Sequence, residues 1–241
     1  MPESSGNKCV AIMQPYFIPY LGYFQLIHAV DEFILLDDVE YSKGGWYNRN
    51  NVLLGGRKHM CTLPVVKTSN YSLVSSRSLV ENIEKEKGKI ERTINQAYSK
   101  SPFYSETRNL IETILHFQDR NLVNFNVNGL KAISAHLGIQ TKISFSSDLN
   151  IPRELKNVER VLEICRKKNA TSYVNAIGGI DLYDQSAFNE QNIQLSFIKM
   201  HEIVYEQRQV NFIPHLSIID VIFHNGISET RRLLDCFDLI K

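Results

Sequence analysis

The sequence predicts an α/β protein: a mostly parallel sheet with flanking helices and a helical insertion. Three observations carry this. Short apolar runs, such as Cys9 to Met13 and Phe33 to Leu36, alternate with amphipathic stretches, as βαβ units require. The stretch near residues 77–138 carries helical periodicity alone. Alternation of the two types resumes beyond it and runs towards the C-terminus.

The elements follow in order. Cys9 to Met13 reads as a buried strand ended by Gln14-Pro15, and Tyr20 to Val30 as a helix with Leu21, Phe24, Ile27 and His28 on one side. Phe33 to Leu36 is the second strand, giving a parallel pair across a helix. Asn51 to Leu54 and Lys58 to Val65 flank Gly55-Gly56, a hairpin signal. Three apolar stripes at helical spacing come next: Leu79, Ile83, Ile90, Ile94 and Ala97; Leu110, Ile111, Ile114 and Leu115; Leu122, Phe125, Leu130, Ile133 and Leu137. Pro102 separates the first two, and Gly138 stops the third. Lys142 to Phe145, Ser172 to Val174 and Gln194 to Ile198 read as strands, with Val158 to Lys168 a helix. Leu216 to Phe223 and Ser228 to Phe237 read as helices, Ser228 as an N-cap. The organisation expected is 1–76 an N-terminal α/β part, 77–138 the insertion, and 139–241 a C-terminal α/β part completing the site.

Composition excludes several classes. The 241 residues are 43% hydrophobic, enough for a core, and carry a net charge of +1. That balance offers neither a nucleic-acid surface nor a polybasic membrane patch. No apolar run approaches the ~18 residues of a membrane span, so no membrane insertion is expected. Met1 to Lys8 lacks the apolar stretch of a signal peptide. The four cysteines, Cys9, Cys61, Cys165 and Cys236, show neither pairing nor metal spacing. They read as small core residues in a reducing, cytoplasmic setting.

Four stretches carry candidate chemistry. The first is Gln14 to Tyr23, after the first strand, where ligands of parallel α/β sheets bind. Gln14 brings a donor and acceptors, and Tyr16 and Tyr20 bring flat faces with polar tips. The bland alternative is a Pro-rich turn packing aromatics into the core. The second is Asp37 to Asn50. Asp37 and Asp38 can take protons or hold hydroxyls, and adjacent strand positions face opposite ways, so one of the two should reach a cleft. Lys43 and Arg49 suit phosphate, Gly44-Gly45 lets a ligand approach the backbone, Trp46 offers a stacking face, and Asn48 and Asn50 offer directional hydrogen bonds. The third is Asn175 with Gly178 and Gly179, either a pyrophosphate cradle or a simple strand-to-helix turn. The fourth holds His215, in a Pro-bounded loop, and Asp220, which either positions its helix or belongs to a site.

The layout of the first loop is similar to that of nucleotidyltransferases, which carry a paired-histidine element there. Here the place reads Tyr20-Leu21-Gly22-Tyr23, without the histidines.

Taken together, "MQPYFIPYLGYFQLI", "DEFILLDDVEYSKGGWYNRN", "YVNAIGGIDLYD" and "FIPHLSIIDVIFHNG" resemble the WbqC-like protein family, over nearly the whole chain. The chain departs from the family pattern at Ala176, where Pro is usual, and at His215, where Gly is common. The resemblance implies an enzyme of bacterial surface-polysaccharide (O-antigen) biosynthesis: an N-acyltransferase joining the acetyl group of acetyl-CoA to a nucleotide-linked amino sugar. Asp37, Asp38 or a histidine, His215 foremost, would take the amine proton, and donors near Gly44-Gly45 or Asn48 would meet the oxyanion. No cysteine has an activating base beside it, so direct transfer is expected, without a metal. The expected partners are the nucleotide-linked amino sugar and coenzyme A; a homodimer is open. The alternatives are a nucleotidyl or aminoacyl transferase on a related scaffold, or a non-catalytic nucleotide-sugar-binding protein.

Overall fold

A computed structural model describes residues 6–69, 71–208 and 211–241; Met1 to Ser5 of the polar N-terminal stretch lie outside these described residues. Period-two alternation builds the sheet. β1 (Cys9–Met13) and β2 (Glu32–Leu35) pair in parallel with Ala11 opposite Phe33 and Ile12 opposite Ile34. Successive side chains point to opposite faces. Ala11, Phe33 and Leu35 therefore enter one apolar core, and Val10, Ile12 and Ile34 the other.

α1 (Leu21–His28) returns the chain from β1 to β2. Between β2 and β5 (Lys142–Phe145) come a hairpin, β3 (Arg49–Leu54) with β4 (Arg57–Thr62), and three helices, α2 (Ile83–Tyr98), α3 (Tyr104–Leu115) and α4 (Leu122–His136). Their apolar stripes join the first core, where Phe125 of α4 meets Phe17 with ring centroids 6.3 Å apart. Gly138 ends this helical run at φ 71°, a left-handed backbone that glycine adopts without a Cβ clash.

α5 (Asn157–Lys167), β6 (Ser172–Ala176), α6 (Gln185–Asn189), β7 (Gln194–Met200), α7 (Ile218–Leu233) and β8 (Phe237–Ile240) complete the chain. The sheet order is β5-β2-β1-β6-β7-β8, parallel except for β8. The chain moves outward from β1 on one side, then returns to start again at β6. The switch point thus lies between β1 and β6, with ligands expected beyond the carboxyl ends of the strands.

At the opposite edge, Glu32 is 2% exposed yet charged. It meets Lys168 at 2.6 Å, Lys8 at 2.8 Å and Lys142 at 3.7 Å. Burial works against its charge, but hydrogen bonds from Lys168, Lys8 and Ser144 outweigh burial and hold the carboxyl down at about 2.

The C-terminal reading needs correction. Phe237 belongs to a strand, not to a helix: Phe237–Ile240 pairs antiparallel with β7, Met200 opposite Phe237 and Phe197 opposite Ile240. The two helices read there are one element broken at Gly226, φ 69°. A Cβ at Gly226 would sit 2.6 Å from the Phe103 ring, so glycine is required twice over. The amide of Ile227 at the break donates to Glu106 Oε1 at 3.2 Å, and the N-cap of this helix is Ser217, not Ser228. Gly178 and Gly179 lie within a short 3₁₀ stretch, Ile177–Leu182, followed by α6, which periodicity did not foretell.

Candidate functional site

Two of the cavities among the described residues lie beyond the carboxyl ends of β1 and β2. The first has a volume of 210 Å³ and is walled by Tyr16, Pro19, Tyr20, Trp46, Asn50 and His215. The β1–α1 loop, the loop entering β3 and the loop before α7 each contribute. Backbone bonds join them. Phe17 N–H donates to the Trp46 carbonyl at 3.0 Å, and Ile218 N–H to the Pro19 carbonyl at 2.9 Å. Asn50 Nδ2 donates to the carbonyls of Phe17 at 3.1 Å and Ile18 at 2.8 Å, and the Ser217 hydroxyl to Ile18 at 2.7 Å. Ile18, a β-branched residue, holds φ 40° within this frame, a strained backbone of the kind that only surrounding bonds maintain.

The cavity walls are aromatic with polar tips. Trp46 is 41% exposed. The Tyr20 and His215 rings meet edge to face at 6.3 Å. Burial pushes the Tyr16 and Tyr20 phenols up, so both stay neutral donors. The Tyr16 hydroxyl donates to Gln14 Oε1 at 3.2 Å. His215 takes φ 59°, a backbone that favours glycine and sets the imidazole on an exposed, strained turn.

The second cavity, of 420 Å³, lies beyond β2 and β5 and is walled by Asp38, Glu40, Arg153, Lys156, Asn157 and Arg160 among others. Asp38 Oδ2 accepts from Arg160 at 2.5 Å.

Several predicted site residues are occupied in holding the loops. Asp37 is buried; it accepts from Ser147 N at 3.1 Å and Ser147 Oγ at 2.7 Å. The Ser146 hydroxyl lies between Asp37 and Asp38, within hydrogen-bonding reach of both. Of the two acids, Asp38 lines the second cavity and buried Asp37 does not, although both lie past Leu35, where β2 ends. Asn48 accepts from Tyr41 Oη at 3.0 Å and donates to the Leu63 carbonyl at 2.7 Å. Arg49 turns back onto the carbonyls of Gly45 at 3.2 Å and Lys43 at 2.9 Å. The Asn175 carbonyl accepts from Ala176 N at 2.8 Å, and its amide packs on Gly179, where a Cβ would come within 2.5 Å. Lys43 and Gly178 are exposed.

One residue that frames the site, Asn126, escaped the sequence reading. Asn126 of α4, buried, donates through Nδ2 to the carbonyls of Pro15 at 2.9 Å and Tyr47 at 2.7 Å. Asp220, fully buried, accepts from Tyr98 at 2.8 Å, Tyr205 at 2.6 Å and Gln207 at 3.0 Å. Both readings of Asp220 stood open in the sequence; its oxygens are taken by donors that fasten the segment leading to His215. Burial pushes the thiols of Cys9 and Cys61 up to about 11 and that of Cys165 to about 12. Among the described residues no helix is long and apolar enough to cross a membrane, and no three His, Cys, Asp or Glu side chains gather as metal ligands would.

Comparison with known proteins gives the chain its place. No solved structure matches it. It is 31% identical over 231 residues to the "uncharacterized protein Rv1507c" of Mycobacterium tuberculosis (strain ATCC 25618 / H37Rv), covering 95% of this chain and 99% of that protein. The model of the WbqC-like protein family matches residues 14–232, which include every wall of both cavities. The chain belongs to the WbqC-like protein family.

Proposed function

We propose that this protein is an N-acyltransferase that moves the acetyl group of acetyl-CoA onto the amine of a nucleotide-linked amino sugar, a step of bacterial surface-polysaccharide biosynthesis. The observation that carries the reading is the aromatic cavity of Tyr16, Tyr20 and Trp46 with the His215 imidazole on its wall. Flat faces with polar edges suit a sugar or base ring. The His215 imidazole offers that wall a ring nitrogen that can take a proton from the attacking amine.

The chemistry balances without an acyl-enzyme. The neutral sugar nitrogen attacks the thioester carbon and the C–N bond forms. Collapse of the tetrahedral oxyanion breaks the C–S bond; the amine proton passes through His215 to the departing thiolate, and coenzyme A leaves as the thiol. Asp38 and Asp37, occupied by Arg160 and by Ser146 and Ser147, take positioning roles in this scheme. Nucleotidyl transfer is the weaker reading: Tyr23, at the place of a catalytic histidine, is buried and its hydroxyl donates to the Gln14 carbonyl at 2.7 Å.

The test incubates the protein with acetyl-CoA and a dTDP-linked amino-dideoxyhexose, following the acetylated sugar by mass spectrometry and free thiol by absorbance. His215→Asn should lower kcat about 10²–10⁴-fold with KM nearly kept. Absence of the amide across a panel of amino-sugar nucleotides would refute the proposal.

A further inference from the structure

We infer that the larger cavity beside β5 is a diphosphate-binding site, serving the phosphates of the nucleotide sugar or of coenzyme A. It deepens the proposed function and rests on it for the identity of the ligand, though not for the anion chemistry.

The charges argue first. Three cations, Arg153, Lys156 and Arg160, and two acids, Asp38 and Glu40, line the 420 Å³ space. Asp38 is spoken for by Arg160. Among the described residues neither Arg153 nor Lys156 has an ion-pair partner, and both are exposed. Glu154 and Glu159 lie on the same segment but do not line the space. Among the described residues Glu40, on the same wall, has no ion-pair partner either, so two cations share the space with one carboxylate not already held.

Arg160 argues second. Its residue is 8% exposed, and among the described residues its Nε has no hydrogen-bond partner. An unpaired buried guanidinium N–H costs about 1–3 kcal/mol or more, so such groups persist where a ligand or a neighbour completes them. The guanidinium already holds Asp38 through Nη2 and leans on the Pro152 carbonyl at 3.5 Å through Nη1. It stiffens the cavity floor instead of swinging free.

The helix argues third. The eleven-residue α5 starts at Asn157, and its N-cap Lys156 forms no side-chain cap. Its first turn, through Lys156, Asn157 and Arg160, lines the same space as the cations, and a helix start carries the positive end of the dipole. Asn157 takes φ 48°, which turns the chain sharply into the helix beside the cavity. Planar guanidinium, ammonium and backbone N–H donors together match the oxygens of a diphosphate.

The two cavities share one loop. Asp38 to Glu40 wall the cationic one and Trp46 the aromatic one. A ligand with a ring and a diphosphate can engage both through that loop. The two co-substrates each carry a diphosphate, and the experiment separates them.

Calorimetric titration of the full chain with inorganic pyrophosphate is the first measurement. The wild type should bind one equivalent. The double variant Arg153→Ala/Lys156→Ala, changed at exposed positions, should bind it at least about tenfold more weakly. The second measurement titrates dTDP and coenzyme A into both proteins. Loss confined to dTDP places the nucleotide sugar here; loss confined to coenzyme A places the acyl donor here. Pyrophosphate binding that is absent from the wild type, or equal in the double variant, overturns the inference. Either result leaves the acyl-transfer proposal to its own product assay, where Trp46 and His215 are unchanged.

Discussion

The Phe17 amide donates to the Trp46 carbonyl across 3.0 Å, so the loop after the first strand and the loop carrying the only tryptophan are one structural unit. Pro15 and Tyr47, beside that bond, share a second tie: both carbonyls accept from Asn126. A helix of the insertion thereby sets the spacing of the aromatic walls.

Asn126→Leu removes both donors while keeping the volume close. Two buried carbonyls lose their partner, at about 1–3 kcal/mol each. Denaturant unfolding should show a loss of about 2–5 kcal/mol. The surviving fold should bind the nucleotide-linked substrate more weakly, with Trp46 emission shifted in the unliganded protein.

The Asp220 hub makes a second prediction. Tyr98 donates to Asp220 and receives the Leu53 amide at 3.0 Å. Tyr98→Phe breaks both bonds, and thermal unfolding should report a cost of about 1–3 kcal/mol. Asp220→Ala strands three donors, from Tyr98, Tyr205 and Gln207, and should cost more than Tyr98→Phe. Equal stabilities for wild type and both variants would mean that the hub contributes nothing.

Acid stability should report Glu32. Its folded carboxyl titrates at about 2, below the ordinary 4.5. A depressed carboxylate contributes stability that is fully present above its unfolded pKa and is lost as pH falls through the folded one. The contribution should stand intact above pH 4.5, decline between 4.5 and 2, and be gone below 2. Glu32→Gln leaves Lys168 with no charged mate and should cost about 3–5 kcal/mol at neutral pH. The gap between variant and wild type should narrow across that acid window in urea melts at stepped pH.

The thiols supply a further check. With Cys9, Cys61 and Cys165 held at about 11 to 12 by burial, a disulfide reagent at pH 8 should modify Cys236 fastest in the native protein. Turnover should survive replacement of all four cysteines in a variant that still folds. Loss of turnover with the fold intact would point to a covalent acyl-enzyme.

Strands and insertion were legible because apolar runs and helical stripes differ in period: Cys9–Met13 and Lys142–Phe145 sit where the pattern put them. Phe237–Ile240 was not, since four residues following a helix carry no period of their own. Their strand state comes from pairing with β7, a tertiary effect. The site divides in the same way. Composition marked the loop from Asp37 to Asn50, but not which side chains face a ligand. Asn48 and Arg49 spend their donors on nearby carbonyls, as polar loop residues do when a turn buries backbone oxygens. Arg160 could not be read at all, because it meets Asp38 from 122 positions away.

The most direct measurement uses Trp46, the chain's only tryptophan, as its own probe. It lies on the wall of the aromatic cavity, so its fluorescence reports on that space. The account predicts a saturable change in emission on titration with a dTDP-linked amino sugar. The midpoint should match the Kd from calorimetry, and affinity should fall about tenfold or more in Tyr16→Ala, where a stacking face is lost. Emission that stays constant at concentrations where calorimetry shows the nucleotide sugar bound would contradict the account, because the ligand would then sit elsewhere.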